Sequence, residues 1–225
     1  MKAYRTILFD LDGTLTDPGV GITKSVQYAL RKLNIVENDF AKLRCFIGPP
    51  LQHSFERYYQ LEPAVAWQAV QYYREYFAET GIFENTVYPG MIEGLSRLVA
   101  AGKCLAVATS KPTVYSEKIL AHFKMDHFFH LIIGSNLDGT RVAKTEVIAA
   151  VMSNLPDFAS QEPTVMVGDR EHDIIGAKNN QIDAIGVLYG YGAQTELAAA
   201  QPDLIVASVT ELFDSLLNGC ATYNP

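Results

Sequence analysis

The sequence predicts an α/β protein, a parallel sheet with helices on both faces, interrupted near its start by an all-helical insertion. Three observations predict it. From Tyr88 onward, short continuous apolar runs alternate with stretches of helical periodicity, as expected for strands buried on both faces and their crossover helices. Between about Gly21 and Gly81, apolar residues keep the helical spacing with no strand-like run among them. The first apolar run, Thr6-Ile7-Leu8-Phe9, opens into Asp10-Leu11-Asp12-Gly13, a pair of carboxylates where a strand gives way to a turn. A chain of 225 residues that is 48% hydrophobic can bury one sizeable core and a smaller satellite.

The elements follow in order. Residues 6–9 read as a buried strand. In the insertion, Ile22, Val26, Ala29, Leu30 and Leu33 share one helical face, and Ala66, Val70, Tyr73 and Phe77 share another. Hinges are expected at 13–19 and 83–89, giving a core domain of 1–16 with 84–225 and a helical cap of 17–83. Met91, Leu95, Leu98 and Val99 mark a helix over 91–101, stopped by Gly102. A strand is predicted over 104–108, a helix over 113–123 after Pro112, a strand over 131–133 and a helix over 144–152. Then come a strand over 164–167 closed by Gly168-Asp169, a helix over 173–180, strands over 184–188 and 204–206, and a last helix over 209–217. No internal repeat or low-complexity tract interrupts this order.

Composition excludes several functions. Eighteen Lys and Arg against 25 Asp and Glu give a net charge of −7 with no basic run, a poor partner for a nucleic acid polymer. Cys45, Cys104 and Cys220 are odd in number, widely spaced and outside any CxxC pattern, so reduced, mostly buried thiols are expected rather than zinc or redox chemistry. No signal peptide is read at the start. No apolar run approaches the roughly 18 residues of a membrane span. A cytoplasmic protein without membrane contact, monomeric or homodimeric, is the expectation.

In an open parallel sheet, ligands bind beyond the carboxyl ends of the strands. Asp10 and Asp12 fall there, as do Thr109-Ser110-Lys111 and Asp169, with Asp173 four residues further on. Lys144 opens a helix after the strand at 131–133 and a loop. Carboxylates, a hydroxyl and an ammonium are thus expected in one cleft. Oxygen donors of this kind suit Mg²⁺ shared with a phosphate. The metal and a lysine neutralise phosphoryl oxygens. One aspartate can attack phosphorus and a second can move the protons.

Asp10-Leu11-Asp12-Gly13-Thr14-Leu15-Thr16-Asp17, Val107-Ala108-Thr109-Ser110-Lys111, the downstream Lys144 and Val167-Gly168-Asp169-Arg170-Glu171-His172-Asp173 resemble, in order, the four motifs of the haloacid dehalogenase superfamily. The resemblance spans nearly the whole chain and implies a Rossmann-like core with an α-helical cap that closes over the substrate. It implies Asp10 as nucleophile and Asp12 as general acid and base. Thr109, Ser110 and Lys144 would hold the phosphoryl group. Asp10, the backbone carbonyl of Asp12 and Asp169 would ligate Mg²⁺, supported by Asp173. An Asp at position 12 fits the phosphatases and phosphomutases of the superfamily. Its dehalogenases lack an Asp there, and its P-type ATPases have Thr. Ser110 departs mildly from the Asn of many relatives.

Phe46-Ile47-Gly48-Pro49-Pro50-Leu51 and Gly186-Val187-Leu188-Tyr189-Gly190-Tyr191-Gly192 resemble the phosphoglycolate phosphatase-like group. The segment from Gly134 to Arg141 is closer to its 5′-nucleotidases. The implied substrate is a small phosphorylated metabolite, a nucleoside 5′-monophosphate or phosphoglycolate. A phosphomutase and a catalytically silent binding protein of the same fold are the rival readings. Arg44, His53 and Lys24 are candidates for holding the leaving group, with a solvated charge as the plain alternative for each. Tyr58, Tyr59, Tyr72, Tyr73 and Tyr76 stack a base or pack the helices. The loop at 189–192 is either part of the cleft or a strand exit. His122, His127 and His130 read as structural.

Overall fold

The computed structural model describes residues 3–159 and 162–218; Cys220 lies outside them. The chain forms two compact units. One runs to Thr16 and resumes at Val87, and the other spans Asp17–Thr86.

The first unit is built on six parallel strands: β1 (Thr6–Phe9), β4 (Cys104–Pro112), β5 (Leu131–Ser135), β6 (Thr164–Gly168), β7 (Asp183–Val187) and β8 (Leu204–Val206), ordered β5-β4-β1-β6-β7-β8. Two short strands, β2 (Thr16–Asp17) and β3 (Thr86–Val87), pair with each other. Helices α5 (Met91–Ala100), α6 (Thr113–His122), α7 (Lys144–Asn154), α8 (Glu171–Asn179), α9 (Gln194–Ala200) and α10 (Val209–Asn218) complete the unit. The central strand is apolar throughout its middle because both its faces are covered. Ile7, Leu8 and Phe9 have no exposed surface, and each contributes about 1.5–3 kcal/mol of burial.

Register fixes what stands at the strand ends. Phe9 is level with Val107 on β4 and with Val167 on β6. The residues that follow β1 therefore emerge between the carboxyl ends of β4 and β6. Strand order reverses here: the chain leaves β1 for β4 and β5 on one side and returns to β6 on the other. Such a switch point opens a crevice for ligand.

Several elements differ from the sequence expectation: β5 runs two residues further, to Ser135, α9 has no counterpart in it, and two differences bear on the site. β4 continues to Pro112, four residues beyond the apolar run, because its polar end still pairs with β5; the register shifts between Ala108 and Pro112. Helix α8 begins at Glu171 rather than 173, since Asp173 Oδ2 accepts the Arg170 N–H at 3.1 Å and caps the turn.

The inserted unit holds α1 (Gly19–Lys32), α2 (Phe40–Leu43), α3 (Leu51–Tyr59) and α4 (Pro63–Glu79). Ile22, Val26, Ala29 and Leu30 of α1 are buried, as are Ala66, Val70, Tyr73 and Phe77 of α4, and these helices pack together. Phe46 closes the one-turn helix Arg44–Phe46, its ring 4.8 Å from that of Phe55. The tyrosines pack rather than form one stacking platform. Tyr73 stacks on Phe77 at 5.2 Å, Tyr76 donates to Glu84, and Tyr58 and Tyr59 lean on Phe46.

Cys104 is buried and Cys45 half-buried, both thiols outside any disulfide. His122, His127 and His130 each rest against a phenylalanine, namely Phe123, Phe128 and Phe158. Among the described residues no helix is long and apolar enough to cross a membrane.

Candidate active site

Asp10 is delivered to the crevice by the last pairing of β1. Its N–H donates to Val167 O at 2.9 Å, so the backbone is fixed where the side chain leaves the sheet. Asp10 Oδ1 accepts the Leu11 N–H at 2.7 Å and lies 2.8 Å from Lys144 Nζ. Both contacts fall on Oδ1, and among the described residues Oδ2 has no such partner. The chain then turns tightly, with the N–H groups of Leu15 and Thr16 donating to Leu11 O and Gly13 donating to Thr16 O. Gly13 takes φ +82°, and a Cβ there would sit 2.2 Å from Asp169 Oδ2. Only glycine satisfies both demands.

Lys144 opens α7 and is buried with its ammonium between carboxylates, 2.8 Å from both Asp10 Oδ1 and Asp173 Oδ1, while donating to Ala108 O at 3.1 Å. Burial works against its charge, but Asp10 and Asp173 outweigh burial and hold its pKa above the ordinary lysine value. Asp169, following β6, accepts the Tyr191 N–H on Oδ2 at 2.7 Å and the Thr14 hydroxyl on Oδ1 at 3.5 Å. The loop at 189–192 is therefore part of the site and not a bare strand exit. Tyr189 extends it, its hydroxyl donating to Thr14 O at 3.1 Å.

Thr109 is buried at the end of β4, and its Oγ1 accepts the Lys111 N–H at 3.3 Å. Ser110 is half-buried, and its carbonyl accepts from Ser135 Oγ at 2.7 Å. Asp12 Oδ2 lies 2.7 Å from Lys111 Nζ, and its buried Oδ1 has no hydrogen-bond partner among the described residues. Burial raises the Asp12 pKa, and Lys111 opposes that rise. Lys111 carries no apolar signature and was legible only as part of a motif. The backbone N–H of Tyr191 carries no side-chain signature at all.

Arg44 and His53 are exposed in the inserted unit, the first on the one-turn helix Arg44–Phe46 and the second on α3. Lys24 is taken up by Glu84.

One oxygen from each of Asp10, Asp169 and Asp173 lies within 4.8 Å of the others, and all three side chains are buried. Burial, then Asp173 and Asp10, pushes the Asp169 pKa well above the usual carboxylate range. Burial raises Asp173 to about 6, with Lys144 pulling down and Asp10 pushing up. Lys144 offsets Asp10 and Asp173, whereas Asp169 meets neutral donors. A buried, oxygen-only cluster with surplus negative charge fits a hard divalent cation.

The chain's similarities agree with this geometry. The family profile described as haloacid dehalogenase-like hydrolase matches residues 7–187. A 5′-nucleotidase of Pseudomonas aeruginosa is 49% identical over 209 residues, 93% of this chain and 94% of that protein. The tyrosine-protein kinase PtkA of Mycobacterium tuberculosis is 35% identical over 96% of this chain and 73% of its own length. Phosphoglycolate phosphatases follow at 29% identity, as in Colwellia psychrerythraea, over 96% of this chain and 98% of that protein. The crystal structure of a predicted phosphatase from Clostridium acetobutylicum superposes with a TM-score of 0.91 at 47% identity, covering 96% of this chain and all of that one. A match over most of the chain, with two charged clusters at the switch point of a parallel sheet, identifies this protein as a member of the haloacid dehalogenase-like hydrolase family.

Proposed function

We propose that the protein is a Mg²⁺-dependent phosphomonoesterase acting through an aspartyl-phosphate on Asp10, with a nucleoside 5′-monophosphate as its substrate. The observation that carries this reading is the setting of Asp10. Its Oδ1 is anchored by Lys144 and the Leu11 N–H, and the side chain belongs to a buried carboxylate cluster with Asp169 and Asp173.

Asp10 Oδ2 attacks phosphorus as the bond to the leaving oxygen breaks, and Asp12 gives that oxygen a proton. Asp12 then takes a proton from water, which attacks phosphorus; the bond to Asp10 breaks and phosphate leaves. Thr109 and Lys144 hold the phosphoryl oxygens, and Lys144 keeps Asp10 aimed. Asp10, Asp169 and the carbonyl of Asp12 would hold Mg²⁺, with Asp173 behind them. When bound, the cation supplies positive charge against the phosphoryl oxygens.

The substrate rests on the strong likeness to the 5′-nucleotidase; phosphoglycolate is the second candidate because relatives so named align along the whole chain. The test is phosphate release from a panel of nucleoside 5′-monophosphates, phosphoglycolate and sugar phosphates. Release of phosphate in step with the alcohol, fastest for a nucleotide, is expected. Alcohol without phosphate would mean transfer to another hydroxyl, and activity on no member would overturn the proposal.

A further inference from the structure

Beside Asp12 lies a cation that the reaction as derived does not use. Lys111 Nζ is 2.7 Å from Asp12 Oδ2, and both side chains are almost fully buried. A buried ion pair is weak as a stabilising device, because desolvation of both charges offsets their attraction. Buried pairs of this kind are often replaceable by apolar side chains without loss of stability, so the pair points to a role in placing a group.

The backbone is built to hold Lys111 there. The β4–β5 register shifts between Ala108 and Pro112, and an irregularity of this kind re-aims side chains beside a site. The shifted segment is clamped from β5: Ser135 Oγ donates to Ser110 O at 2.7 Å, and the Gly134 N–H donates to Thr113 Oγ1 at 2.9 Å. A Cβ at Gly134 would lie 2.1 Å from Lys111 O, so the two strands approach there as closely as glycine allows. The Lys111 N–H itself donates to Thr109 Oγ1 at 3.3 Å. Of the Asp12 oxygens, Oδ2 faces Lys111, and among the described residues Oδ1 has no hydrogen-bond partner.

We infer that Lys111 is a positioning residue for Asp12, fixing Oδ2 so that Oδ1 is the oxygen presented to the leaving group. This rests on the reading of Asp12 as general acid and base. Proton transfer needs the acid within hydrogen-bond reach of the leaving oxygen, and without Lys111 the carboxyl is free to rotate. A phosphate ester with an acidic leaving group departs without a proton, whereas one with a weakly acidic leaving group does not. Loss of Lys111 therefore discriminates among leaving groups, which loss of stability does not.

The experiment measures kcat/KM for 4-nitrophenyl phosphate, phenyl phosphate and an alkyl phosphate in wild type, Lys111→Met, Lys111→Gln and Asp12→Asn, each checked for folding by circular dichroism. Glutamine keeps a donor without the charge and stands in if methionine prevents folding. A double variant, Asp12→Asn with Lys111→Met, leaves no lone buried charge and closes the cycle. Relative to wild type, the Lys111 variants should hold 4-nitrophenyl phosphate within about 3-fold and lose about 10- to 100-fold on phenyl and alkyl phosphates. Lys111→Met should add nothing in the Asp12→Asn background. Equal losses on all three esters, or a further loss in the double variant, would overturn the inference. Should Asp12→Asn itself lose activity equally on all three, the acid role of Asp12 fails instead, and the proposal for Lys111 falls with it.

Discussion

At the scale of single residues, the division of labour between two carboxylates two positions apart comes from their partners. Asp10 is met on one oxygen by Lys144 and a backbone N–H. Asp12 is met on one oxygen by Lys111, and its other oxygen has no hydrogen-bond partner among the described residues. Asp10→Asn is nearly isosteric but a far weaker nucleophile. It should lower kcat by about 10³-fold or more with an unchanged circular dichroism spectrum; near-normal turnover in the folded variant would remove Asp10 from the chemistry. The gathering of Asp10, Lys144, Asp169 and Asp173 was legible because each follows an apolar strand or opens a periodic helix. The Lys111–Asp12 pair was not, since a lysine within a polar stretch reads as a strand's end. Nor was the Tyr191 N–H on Asp169, because a backbone donor has no letter in the sequence.

At the scale of elements, hydrophobic periodicity carried the six-stranded sheet and most of its helices nearly to their ends, but gave no reading of α9, whose seven residues bury only Leu197. It missed where polar residues continue a strand, as in β4 beyond Ala108. It also gave no separate reading of α2, a single turn capped by Asp39, which is too short to show a period. Packing between α5 and α10 supplies a stability test remote from the site. A Cβ at Gly94 would lie 2.1 Å from the ring of Phe213. Gly94→Ala gains helix propensity but overpacks this contact, so it should destabilise by about 1–3 kcal/mol in urea unfolding, with kcat retained below the transition. An unchanged midpoint would show that Phe213 moves aside freely.

At the scale of the whole molecule, the proposed core site would grip a phosphoryl group common to every candidate substrate, so choice among them would fall to residues that touch the leaving alcohol. The inserted unit carries the segment 46–51 with Arg44 and His53 near it in sequence. Alanine at Arg44 or His53 should shift the kcat/KM ratio between nucleoside monophosphates and phosphoglycolate, with acetyl phosphate changed much less. One common factor for all substrates would contradict this. Which substrate is preferred was not legible, because specificity depends on side chains that meet only in three dimensions. Exhaustive chelation should abolish activity, Mg²⁺ should restore it, and Ca²⁺ should inhibit, because its looser coordination lets a carboxylate bind through both oxygens. Full activity after chelation would remove the cation from the account. The most direct measurement of the central claim is borohydride trapping during turnover, read by peptide mass spectrometry. An aspartyl-phosphate on Asp10 is reduced to homoserine, so the account predicts homoserine at position 10, dependent on substrate and absent from Asp10→Asn. Homoserine at position 12 instead, or unmodified Asp10 under steady turnover, would contradict it.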